Sequence, residues 1–122
     1  MISWGTILYG AVLSMVVAAL FVATVARERR LPVLLVAALS AGVGALLWNA
    51  ILHRVGGSEF FVDAPVSILP ASWQDTGSGV FAATCAALGL GFGPARADAG
   101  SRVALLVLIC GLSAFLVDVY LY

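Results

Sequence analysis

Beyond Val103 the chain carries one charged side chain, Asp118, four positions before its last residue. A carboxylate in the hydrocarbon of a bilayer is disfavoured by about 2.5–3.5 kcal/mol at mid-depth, so such an acid marks a proton or ion site by default. Asp118 sits about one helical turn from the end of its apolar stretch, shallow enough to reach water as a simple interfacial acid instead. Asn49 stands at similar depth in an earlier stretch. Together the two would form a polar spot in which the amide hydrogen-bonds either protonation state of the acid; alone, Asn49 would tie helices together.

Four further residues complete the set of candidates for a transport or polar site. Asp75 and Gln74 open the third apolar stretch, where Asp75 also suits a helix cap. His53 closes the second stretch and titrates near neutral pH when unperturbed, with a plain interfacial role as the alternative. Tyr9 lies about two turns into the first and either bonds across helices or packs. With Ser3 and Thr6, these polar groups gather toward one end of the stretches, and the remainder is nearly all Ala, Val, Leu and Gly. No polar pathway across a single protomer is visible.

No nucleophile–base–acid set, HExxH motif, glycine-rich phosphate loop or paired haem histidines occur, so the sequence predicts no enzyme and no cofactor. Cys85 and Cys110 fall mid-stretch and lack metal spacing; they read as packing residues. The charge balance of zero points away from nucleic acid.

What must position these residues is a set of long apolar helices. The chain is 63% hydrophobic and 10% charged, with a mean hydropathy of +1.14. Residues 2–26, 31–52 and 76–95 hold no charge at all. About 20 apolar residues cross a bilayer as a helix. One domain of four transmembrane helices follows, at about 2–26, 32–53, 73–93 and 102–121, with an external loop over about 54–71. The first stretch has no basic leader and is too long for a cleaved signal, so it reads as a helix. In the loop, Pro65 and Pro70 argue against a continuous helix, and Phe60, Phe61, Ile68 and Leu69 suit an interfacial segment.

Five of the six arginines lie in the turns "ARERR" and "PARADAGSR", and one, Arg54, in the central connection. The positive-inside rule then puts both turns in the cytoplasm and both termini outside. Trp4, Trp48, Trp73, Tyr120 and Tyr122 collect at the outer interface, where amphipathic rings settle.

A displacement of 69 positions aligns Ser3-Trp4 with Ser72-Trp73, Ala26-Arg27 with Ala95-Arg96, and Asn49 with Asp118. It gives eleven identities in 53 aligned positions, against roughly six expected from composition. The expectation is an all-α bundle of two parallel-repeat hairpins, N-out and C-out, each entered at an outer "SW". In the second copy Ser72 is the cap with Asp75 three residues on; in the first, Ser3 is the cap with Thr6 in that place. Small residues at Thr6, Gly10, Ser14 and Ala18, and at Gly79, Ala83, Ala87 and Gly91, suit close helix packing.

Two functions follow from this reading. One is a small homo-oligomeric transporter or channel with an outward polar vestibule. The other is a non-catalytic accessory or scaffolding subunit of a larger membrane complex. Its partners are the lipid bilayer and a second copy or larger membrane protein, with no nucleic acid; its place is a prokaryotic plasma membrane, as a multi-pass protein.

Overall fold

The computed structural model describes residues 3–56 and 73–121, all but the side chains of Trp73, Gln74 and Leu121. Four helices run through the described residues: α1 Trp4–Thr24, α2 Leu31–Val55, α3 Trp73–Phe92 and α4 Gly100–Leu121. The interfacial segment expected at Phe60, Phe61, Ile68 and Leu69 and the cap expected at Ser72 lie outside those residues.

Local chemistry sets the helix ends. The Ser3 hydroxyl accepts from the Thr6 amide at 3.3 Å and caps α1, which satisfies an amide that has no intrahelical partner. After Thr24 the chain turns sharply, with Arg27 in the left-handed region at φ 54°. Pro32 sits in the first turn of α2, where its missing N–H is no loss. Gly56 ends α2 at φ 66°, a conformation glycine adopts without penalty, and its amide returns to Leu52 O. Asp75 occupies the first turn of α3, where the helix dipole favours an anion.

The short turns at 25–30 and 93–99 make each helix pair antiparallel. α2 packs on α1 and α3, α4 packs on α3 and α1, and α2 meets α4 across the short diagonal. One end of the bundle therefore carries residues 3, 56, 73 and 121 (the loop end), and the other carries both short turns (the turn end).

Small residues set the spacing. A Cβ at Gly44 would fall on the backbone of Ala82, so α2 and α3 touch main chain to main chain. At Gly79 and Gly111 an added Cβ would come within 3.2 Å and 3.1 Å of the other's carbonyl oxygen, which brings α3 and α4 equally close. Meanwhile Leu8, Val12, Val16, Leu20, Leu35 and Leu39 point outward. This distribution, small inside and large apolar outside, suits a bundle surrounded by hydrocarbon.

α1, α2 and α4 are long and apolar enough to cross a membrane. α3 has the length, but Gln74, Asp75, Thr76 and Ser78 make its opening turns polar. The expectation of four spans is thus matched by length and composition in three helices.

Burial on α2 and α4 falls at corresponding positions. Ala37, Ser40, Ala41, Gly42, Gly44, Ala45 and Asn49 are buried, and so is each residue 69 further on, from Leu106 to Asp118. Between α1 and α3 the correspondence lies at 68 instead. Ile7, Gly10, Ser14, Ala18 and Val22 match Asp75, Ser78, Ala82, Ala86 and Leu90. The difference is taken up at the end of α3, where the amides of Gly93 and Ala95 both reach Leu90 O before the turn closes.

Candidate functional site

Three helices deliver polar side chains to one interior level near the loop end. Asn49 of α2 and Asp118 of α4 are 0% exposed, Asp75 of α3 is 3% exposed, and Ser78 is fully buried beside it. The close approaches at Gly44–Ala82 and Gly79–Gly111 fix the relative heights of the helices. Counting about 1.5 Å per residue from those points, the four side chains lie within about 6 Å of one another along the bundle. Asp118 therefore points into the protein and not toward the lipid headgroups.

Packing explains why these groups are so enclosed. The Trp48 indole lies on Gly77, where any side chain would collide with it, and it also meets Phe81 at 5.2 Å between ring centroids. That contact draws the polar first turns of α3 inward. Asn49 donates from Nδ2 to Ala45 O at 2.8 Å, which orients its amide along the inner face of α2. Ile7 of α1 is buried as well.

The other candidates occupy different places. His53 is half-buried one turn above Asn49 and stacks on the Trp4 ring at 4.6 Å, joining α1 to α2. Tyr9 is 61% exposed on the outside of α1, because the inner face there belongs to Ile7, Gly10 and Ala11. It takes no part in the interior site. Gln74 lies in the first turn of α3, with its side chain outside the described residues.

Sequence reasoning missed Ser78, whose burial depends on which way α3 faces. It also missed the buried hydroxyls of Ser14 and Ser113, which donate to Gly10 O at 2.9 Å and Ile109 O at 2.7 Å within their own helices. Those two spend their protons locally, as mid-helix serines commonly do.

Toward the turn end the interior becomes apolar. Val22, Val33, Ala37, Ala86, Leu90, Leu106, Ile109 and Cys110 fill it, together with Ala26 and Ala95 from the two turns. A weak bond from Cys110 Sγ to Ala37 O, at 3.5 Å, crosses this layer from α4 to α2.

Beneath that layer lies a charged cluster the sequence did not announce. Glu28 is only 4% exposed. Its Oε1 accepts from the Arg29 and Arg30 amides and from Arg30 Nε, at 3.0–3.1 Å. Its Oε2 accepts from Arg30 Nη2 and Arg102 Nη2, both at 3.1 Å. Arg30 also holds Asp98 through both Nη groups, at 3.1 Å and 2.5 Å, and Arg102 Nη1 donates to Ala26 O at 2.5 Å. The Arg30 guanidinium is the main reason that the Glu28 carboxyl is held down to about 2, and Arg102 adds to it. Arg30 likewise lowers Asp98, and its own proton is held more tightly in return. The signal available in the sequence was the interleaving of acids with arginines in "RERR" and "ARADAGSR".

The arrangement has three layers: a closed polar level bearing two carboxyl groups, an apolar seal, and an ion-paired base. Comparison with known protein families, with curated proteins and with solved structures finds no match.

Proposed function

We propose that the protein is a four-span membrane protein with both termini outside, made of two parallel hairpin repeats, and that it moves a proton or small cation as a homo-oligomeric transporter or channel. The observation that carries this reading is the burial of Asp75 and Asp118 at one level with Asn49. Two carboxylates taken out of water are strongly disfavoured unless a proton or a cation neutralises them. Carboxyl groups enclosed in this way are suited to picking up and releasing a proton or a cation.

The orientation rests on the arginines. Arg27, Arg29, Arg30, Arg96 and Arg102 all lie at the turn end, which makes that end cytoplasmic under the positive-inside rule. The polar level then faces outward, and the apolar layer closes it from the inside. The burial correspondence between α2 and α4 supports the parallel repeat, with Asn49 and Asp118 as equivalent positions flanking the pseudo-axis. The one-residue offset between α1 and α3 fits an insertion at the end of α3.

The test is flux into liposomes. Purified protein is reconstituted with an entrapped pH-sensitive dye, a potential is imposed, and wild type is compared with Asp118→Asn. Loss of flux in the variant supports the reading; equal flux removes Asp118 from the mechanism.

A second reading, an accessory subunit, draws on the groove between α3 and α4. Thr76, Gly79, Ala83, Leu108, Gly111 and Phe115 line a shallow apolar recess of about 340 Å³ suited to a side chain of a neighbouring helix. A stoichiometric partner retained through purification in mild detergent would favour it; a discrete homo-oligomer would favour transport.

A further inference from the structure

The ion pairs at the turn end join parts of the chain that share no helix. Arg30 meets Asp98 across 68 positions and Arg102 meets Glu28 across 74. Each pair ties the turn after α1 to the other hairpin, at Asp98 in its turn or at Arg102 in the first turn of α4. Besides them, this end is held by the covalent turns and by the apolar layer, in which Leu90 and Leu106 pack with Ala26, Ala37, Ala86 and Ala95.

A backbone-to-backbone contact between the two hairpins lies higher up. Gly44 and Ala82 touch through their backbones near mid-height, so a small rocking motion about that point would part the turn ends while the loop ends draw together. The charged groups are placed to permit it. Arg30 and Arg102 are 47% and 31% exposed, so water and lipid phosphates can replace their carboxylate partners when the pairs part. Glu28, by contrast, is enclosed while the pairs hold and becomes hydrated only when they open.

We propose that Glu28, Arg30, Asp98 and Arg102 are an inner gate: a charge latch that closes the buried polar level off from the arginine-bearing face. The proposal rests on the transport reading above for its purpose. Its geometry can be tested without any transported solute.

Cys110 provides a native probe. It is fully buried at the top of the apolar layer, next to Gly111 and hence near mid-height. In full-length protein carrying Cys85→Ala, a membrane-impermeant methanethiosulfonate applied from the arginine-bearing face should label Cys110 slowly. Glu28→Gln should accelerate labelling about tenfold, Asp98→Asn by a smaller factor, and the charge-conserving Asp98→Glu hardly at all. Asp98→Asn is the mild variant that keeps the test available should Glu28→Gln fail to fold.

Unchanged labelling in both neutral variants, each still folded at the temperature of the assay, would overturn the latch. Accelerated labelling without flux in any variant would uphold the latch and sink the transport reading. Flux that responds to Asp118→Asn beside labelling indifferent to Glu28 and Asp98 would sink the latch alone.

Discussion

Arg102 reaches from the first turn of α4 to hold Glu28 at 3.1 Å, while its second amino group donates to the carbonyl of Ala26. One guanidinium thus secures both the acid and the backbone of the opposite turn. Glu28→Gln removes the charge that Arg30 and Arg102 share and leaves two guanidinium groups crowded around an amide. The variant should unfold at a temperature lower by about 5 °C in mild detergent, read by circular dichroism.

The same carboxylate gives a pH dependence of definite sign. Glu28 is depressed from 4.5 to about 2 by its arginine partners. A group with a lowered folded-state value contributes stability that is complete above its unfolded value and disappears as the pH falls through the folded one. The difference in unfolding temperature between wild type and Glu28→Gln should therefore be constant from about pH 5 to pH 8. It should shrink below 4.5 and be nearly gone by about 2.

Glycines should separate into two kinds. At Gly44 an added methyl group meets the Ala82 backbone, which cannot move aside, whereas at Gly91 it meets nothing within 4 Å. Gly44→Ala should destabilise by about 1–3 kcal/mol through overpacking. Gly91→Ala should be neutral or stabilising by up to about 1 kcal/mol, from helix propensity. Parallel denaturation of the two variants checks the contrast.

Most of the architecture was legible because charge is excluded from long stretches of the chain. The helices follow from Ile2–Ala26, Leu31–Leu52, the run after Asp75 and the run after Val103, and the Ser3 cap followed from residue type alone. The site was legible in part. Asp118 and Asn49 stood out as polar residues in apolar surroundings, but their depth does not say which way they face. Asp75 looked like a cap, and its enclosure comes from the Trp48–Gly77 contact between helices. Glu28 was read only as a member of a basic turn, since its main partners include a residue 74 positions away. The 68-residue burial correspondence of α1 and α3 escaped a gapless alignment because the identities in those helices, at Ser3-Trp4, Gly10 and Ala18, fall at 69.

If the hairpins are equivalent, the amide and the acid should be exchangeable. Asp118→Asn alone should lose flux. The double variant Asn49→Asp with Asp118→Asn returns one carboxyl to the same level from the opposite helix. It should recover flux to within about threefold of wild type. A double variant no better than the single one would mean that positions 49 and 118 are not interchangeable.

The central claim is that a neutralisable acid buried near the outer end of this bundle carries charge across the membrane. Dye-reported proton uptake in liposomes, under an imposed potential and across a change of external cation, measures that claim most directly. Wild type should exceed empty liposomes, and Asp118→Asn should match them while keeping the wild-type unfolding temperature within a few degrees. Equal uptake by wild type and Asp118→Asn, or uptake by neither above the empty control, would contradict it.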